Sequence, residues 1–268
     1  MTVELRTHAA SERAESERER IEGKVAAFET FAERVHDVSS DVGGKVGTGQ
    51  QVGASAQSPT GRSPGNALAV GASSTGTAGG AAAVREAFCE TVLPYAETDS
   101  PTEAMADELS PDLAAALSPA AGAFAPGLAA QLVSRAESRR DECELLADAI
   151  GTERDRLRAV ADELDGITDW LAEADETPLL QLGFEELRER HDRLTAFRET
   201  CDRLARERQA TVRGTRRDGL TGIRERELLD HLYADFADDH PALADLAQVD
   251  DLLADGQRAV RRHLCARV

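Results

Sequence analysis

Residues 128–174 read LAAQLVSRAESRRDECELLADAIGTERDRLRAVADELDGITDWLAEA, and the spacing of their apolar side chains decides the fold. Steps of seven put Ala129, Ala136, Cys143, Ile150, Leu157, Leu164 and Leu171 on one line. Leu132, Arg139, Leu146, Glu153, Val160, Ile167 and Ala174 fall between them. Twelve of these fourteen positions are apolar. Steps alternating between three and four are the mark of a seam between helices.

Thr177-Pro178 and Gly183 punctuate a turn over 174–183. Beyond it the spacing returns in Leu187, Leu194, Phe197, Cys201 and Leu204, interrupted by Arg190 and Arg208. Residues 126–213 therefore read as an antiparallel coiled-coil hairpin whose second arm, 184–213, is the shorter. It covers only the C-terminal part of the first arm. The uncovered part, near 132–146, needs another partner, and the N-terminal and C-terminal helices are the candidates.

Working outward, residues 1–38 hold an N-terminal helix. Its second half carries Ile21, Val25, Phe28, Ala32 and Val35 at helical steps. Its first half, 11–20, is nearly all charged and is expected to project into solvent or fray. From 39 to 80 the composition turns to Gly, Ser, Thr, Ala, Gln and Pro, and Arg62 is the only charge between Lys45 and Arg85. Such a segment buries too little surface to repay its ordering entropy and reads as a flexible linker.

Residues 81–268 form the main helical domain. Val84, Phe88, Val92 and Tyr95 line one side of a helix over 81–97, with Pro94 disturbing its last turn. Ser100-Pro101 and Ser110-Pro111 are helix-start signals and predict helices over 101–109 and 111–117. Glu103, three residues after Ser100, adds a capping box. After a loop at 213–222, the C-terminal helices occupy 223–266. The first, 223–237, gathers Leu228, Leu229, Leu232, Tyr233 and Phe236, and His240-Pro241 breaks it. The second, 242–266, turns Leu243, Leu246, Val249, Leu253, Val260 and Leu264 inward. No strand pattern stands out, so the expected fold class is all-α.

The charge balance narrows the setting. Net charge is -19, and only Lys24 and Lys45 are lysines among 31 basic residues. Excess carboxylate, scarce lysine and small apolar side chains fit a protein adapted to molar salt, where the Debye length is about 3 Å and self-repulsion is screened. The same acidity argues against polyphosphate partners and anionic membrane surfaces. The N-terminal residues show no apolar signal segment, and the uncharged span 113–134 is broken by Pro119, Gly122, Pro126 and Gly127. A soluble cytoplasmic protein with no membrane partner is expected. Cys89, Cys143, Cys201 and Cys265 are far apart and read as reduced, with Cys143 and Cys201 packed as small apolar residues on the seam.

Motifs that could carry chemistry are weak. Gly43-Gly44-Lys45 lacks the Gly, the Ser or Thr and the preceding strand of a phosphate loop. His8, His36, His191, His231, His240 and His263 make no zinc spacing. Seven aspartates between Asp235 and Asp255 offer cations no alternating loop and read as a solvated face. Arg203, Arg206, Arg208, Arg213, Arg216 and Arg217 form the one basic run, open to nucleic acid or to pairing with the acidic C-terminal helices. A ligand pocket around Trp170, Tyr233 and Phe236 is a further alternative. Arg139 and Glu153 interrupt the seam and could fix its register. No catalytic, cofactor-binding or metal-ligating residue is assigned.

Particular segments carry a family resemblance. They are Ile21-Glu22 with Ala27-Phe28-Glu29-Thr30-Phe31, then Val84 to Tyr95, and Met105-Ala106-Asp107-Glu108-Leu109. Leu232-Tyr233-Ala234-Asp235-Phe236 and Asp239-His240-Pro241-Ala242-Leu243 complete the set. Together they resemble an uncharacterised haloarchaeal family, a domain of unknown function, over most of the chain apart from the linker. The sequence departs from that pattern at His240, where Tyr is usual, and at Ala125, where Thr is usual. The resemblance supports adaptation to salt and implies no site. The expected function is a non-enzymatic interaction or scaffold protein with a protein partner or a second copy of itself. A nucleic-acid regulator and a small-molecule-binding bundle are the alternatives.

Overall fold

The computed structural model describes residues 5–46, 75–121, 124–213 and 225–267. Among them every regular element is helical. In chain order these are α1 (Arg6–Val46), α2 (Thr75–Thr91), α3 (Pro101–Glu108), α4 (Pro111–Ala116) and α5 (Pro126–Asp175). Then come α6 (Phe184–Arg213), α7 (Glu225–Leu232) and α8 (Pro241–Cys265). Single 3₁₀ turns sit at Leu93–Tyr95 and Leu179–Gln181. The chain divides into two compact units, residues 1–19 with 145–268, and residues 20–144.

In the first unit the hairpin folds as its seam requires. Trp170 meets Phe197 ring to ring at 5.2 Å, and Glu153 meets Arg208, so residue numbers rise on α5 as they fall on α6. The arms are antiparallel. Ile150, Leu157, Val160, Leu164 and Ile167 are buried from one side and Leu187, Leu194, Cys201 and Leu204 from the other. Each such aliphatic side chain contributes about 1.5–3 kcal/mol by leaving water. Glu186 turns back at the start of α6 and accepts from the Gly183 amide at 2.5 Å, half of a capping box built on glycine.

α8 lies antiparallel on α6. Arg198 holds Asp250 with two bonds of 2.9 and 3.1 Å, and Gln257 donates to Thr195 Oγ1 at 2.8 Å. Arg267 donates to the carbonyls of Leu180 and Leu182, tying the end of α8 to the hairpin turn.

The beginning of α1 belongs to the same unit, and here the charge pattern misleads. Instead of projecting or fraying, it is packed: Ala10, Ser11, Ala14 and Glu17 are buried. Glu15 accepts from Arg154 of α5 at 2.6 Å and from Arg158 at 3.3 Å. Small alanines let the helices approach, and the flanking charges pair off as they do so. Asp245 of α8 supplies the N-terminal cap of α1. Its Oδ2 accepts from the amide and the hydroxyl of Thr7, each at 2.7 Å, and its Oδ1 accepts from Arg6 at 3.0 Å. One of the orphan amides of the first turn is thereby satisfied by a carboxylate, which the helix dipole also favours.

In the second unit Phe31 of α1 meets Phe88 of α2 edge to face at 5.6 Å, and Arg34 meets Glu90 at 2.5 Å. Gly23 lets Tyr95 lie against α1, since a Cβ there would stand 2.5 Å from the ring. The 132–146 part of α5 does find partners, including one not expected. Arg135 donates to the Leu109 carbonyl at 2.7 Å and Arg139 to Glu108 at 2.6 Å, so α3 supplies them. Ser110 caps α4 through the Leu113 amide at 3.2 Å. The capping box at Ser100 does not form: its hydroxyl caps nothing, and Glu103 instead accepts from Thr98 at 3.1 Å. A nearby hydroxyl wins the carboxylate.

Several boundaries differ from expectation. α1 runs on to Val46, which places Gly43-Gly44-Lys45 in its last turn rather than in a loop. α2 begins at Thr75, and α7 ends at Leu232, leaving Tyr233 and Phe236 in a turn. Of the linker, residues 47–74 lie outside the described residues, as does nearly all of the loop at 213–222.

Candidate functional site

The seam's polar interruptions Arg139, Glu153 and Arg208 all take part in buried or part-buried ion pairs. Glu153 on α5 and Arg208 on α6 stand at heptad positions on opposite arms, and antiparallel folding brings them together. Arg208 donates Nη1 to Glu153 Oε2 at 2.8 Å and Nη2 to Oε1 at 2.5 Å, a fork-on-fork pair. Tyr233, from the turn after α7, donates its hydroxyl to the same Oε1, and Arg208 Nη2 lies 3.3 Å from the phenol oxygen. Glu153 and Tyr233 are 2% exposed and Arg208 4%. The Arg208 Nε finds no acceptor.

Burial and the adjacent Glu153 charge push the Tyr233 phenol far above its ordinary range. Burial opposes the charge of Arg208, but the hydrogen bonds and charge of Glu153 more than offset it and raise its pKa. The result is a buried ion pair beside a phenol that stays neutral at ordinary pH. The three side chains clamp α5, α6 and the turn after α7 together.

The second unit holds a related cluster. Glu108 of α3 accepts from Lys24 at 2.5 Å and from Arg139 at 2.6 Å, and Arg139 also bonds Glu142 at 2.5 Å. Burial works to raise the Glu108 carboxyl, but the two cations outweigh it and hold it below its usual range. The two thiols on the seam are buried: burial raises Cys143, and burial with the Asp250 charge brings Cys201 to about 11. All four cysteines are free thiols.

The remaining sequence candidates are dispersed. Arg203 pairs with Glu207, Arg206 with Asp202, and Arg208 is buried, so these three spend their charge on α5 and α6 rather than on the C-terminal helices. Arg216 and Arg217 lie outside the described residues. Among the aspartates, Asp238 and Asp245 hold Arg6, Asp250 holds Arg198 and Asp255 holds Arg258. His8 pairs with Asp165 and His231 with Glu17. No three His, Cys, Asp or Glu side chains among the described residues group as metal ligands.

The expected pocket around Trp170, Tyr233 and Phe236 is divided. Tyr233 and Phe236 pack on each other at 5.8 Å, and the Tyr233 hydroxyl bonds Glu153. Trp170 meets Phe197 edge to face and lines a separate cavity of about 280 Å³ at the closed end of the hairpin. Leu171, Leu194 and Val260 supply its apolar walls, and Arg190 and Asp175 are its charged members. That cavity is half legible in the sequence: Trp170 and the α5 residues beside it share one stretch, but the wall that Leu252, Gly256, Ala259 and Val260 of α8 supply is one no periodicity on α5 could name.

Buried ion pairs thus clamp helices within each unit. The chain belongs to a family described as a domain of unknown function, DUF7260, whose model matches residues 5–257. No curated protein and no solved structure matches it. No helix among the described residues is long and apolar enough to cross a membrane.

Proposed function

We propose that this chain is a non-enzymatic protein-interaction or scaffold protein working in a salt-rich cytoplasm. One observation carries the reading. Leu180 is 78% exposed and Phe184 48% exposed, both at the hairpin turn, in a chain with only 4% aromatic residues. Large apolar side chains exposed at a tip fit a contact for a protein partner or a second copy. The heptad burial along α5 and α6 supports reading the hairpin as a coiled coil, which would hold that tip rigidly. Net charge and lysine scarcity support the salt-adapted setting. The nucleic-acid alternative loses support, because Arg203 and Arg206 already face carboxylates and Arg208 is inside.

The test is affinity capture of the tagged protein from host lysate in molar potassium chloride, with and without nuclease, alongside the mass of the purified protein in solution. A stoichiometric protein, or a dimer, that survives nuclease and is lost in Leu180→Ser with Phe184→Ser supports the proposal. A monomer that captures no protein refutes it.

A further inference from the structure

The cavity at the closed end of the hairpin has the composition of a ligand site. At about 280 Å³ it lies just below the usual size range of small-molecule pockets, so its occupant is small. Its walls are the faces of Trp170, Leu171, Leu194 and Val260.

Arg190 is the lining's one cation. Among the described residues most guanidinium groups meet a carboxylate, but Arg190 makes a single polar contact, 3.3 Å to the Thr177 carbonyl. That is long for a hydrogen bond and leaves the rest of the fork open. Asp175 is the lining's one carboxylate and is exposed, so water screens it from an anion held at Arg190.

Gly256 is the independent clue. It stands inside α8 and lines the cavity, yet a Cβ there would meet only Leu194, at 3.6 and 3.7 Å, an ordinary contact. Neither crowding nor an unusual backbone requires glycine, although glycine weakens a helix interior. What the missing side chain preserves is the empty space.

We propose that this cavity binds a small amphipathic carboxylate, its apolar body against Trp170, Leu171 and Val260 and its anionic group at Arg190. Trp170 is the chain's single tryptophan, so its emission reports occupancy directly. Titrating the full chain with octanoate and with octan-1-ol at fixed ionic strength separates the two halves of the proposal.

Octanoate is expected to change the emission saturably and to bind about tenfold tighter than the alcohol, the worth of one charge-assisted hydrogen bond. Arg190→Gln should erase that preference while leaving octan-1-ol binding unchanged. Gly256→Leu should abolish both responses with helical circular dichroism intact. If that variant fails to fold, Gly256→Ala decides, by weakening both ligands. The proposal is overturned by an unsaturable response in the unaltered protein, by equal affinity for acid and alcohol, or by binding that is indifferent to the Gly256 replacements.

Discussion

Two buried carboxylates, one in each compact unit, are held in different ways. Glu153 is answered by one guanidinium and one phenol, all almost wholly inside. Glu108 is answered by two cations, Lys24 and Arg139, the second of which also reaches the exposed Glu142. A neutral donor completes the first cluster and an extra positive charge the second. The difference matters because a phenol is lost to base and a carboxylate to acid, so the same burial creates opposite weaknesses.

The comparison breaks most visibly if one partner is removed. Arg208→Met strands the Glu153 charge in a dry interior and is expected to cost about 3–5 kcal/mol, whereas Arg208→Met with Glu153→Leu should recover most of that loss. Glu108→Gln keeps a neutral acceptor for Lys24 and leaves Arg139 its bond to Glu142, with an expected cost of about 1–3 kcal/mol. Urea unfolding of the four proteins measures this. A double variant no more stable than Arg208→Met would mean that Glu153 is hydrated.

The opposite pH weaknesses come next. Tyr233 keeps its proton in the folded state after the unfolded phenol has lost it, so the first unit loses stability as pH rises above about 10. Glu108 stays ionised where the unfolded carboxyl takes up a proton, so the second unit loses stability as pH falls below about 4. Cys143 and Cys201 also titrate on the alkaline side, so alanine stands at both in the proteins compared. Tyr233→Phe should flatten the alkaline limb alone and Glu108→Gln the acid limb alone, read from amide exchange in each unit. Identical profiles for the two variants would erase the distinction.

The smallest effect sharpens how the first unit is closed. Asp245→Ala removes the cap on α1 and is expected to cost about 1–2 kcal/mol, with faster exchange confined to the first turns. Unchanged exchange there would show that packing of Ala10 and Ala14 alone holds the helix.

The hairpin was legible because its information is periodic and local. Pro126, Gly183 and the heptad positions place α5 and α6, and the second arm, 184–213, matches its helix residue for residue. The first half of α1 was not legible, because Ala10 and Ala14 carry little hydrophobic signal and the pairing of Glu15 with Arg154 spans 139 positions. The clamp was partly within reach. Glu153 and Arg208 were both marked as interruptions, and they stand almost equally far from the turn, so folding the hairpin on paper would have set opposite charges face to face. Tyr233 could not have been added that way, since its approach depends on where the chain returns after α6. The Ser100 capping box failed for a related reason: the motif names Glu103 as a donor's partner but not the competing hydroxyl of Thr98.

Lys24 gives the molecule a built-in chemical clock. Acylating reagents meet only two side-chain amines in the whole sequence, and this one is shut between Glu108 and the helix that carries it. Its modification rate therefore counts how often the second unit opens, without a probe being added. Mass spectrometry of one peptide would follow that breathing at any salt concentration, in the purified protein or inside a living cell.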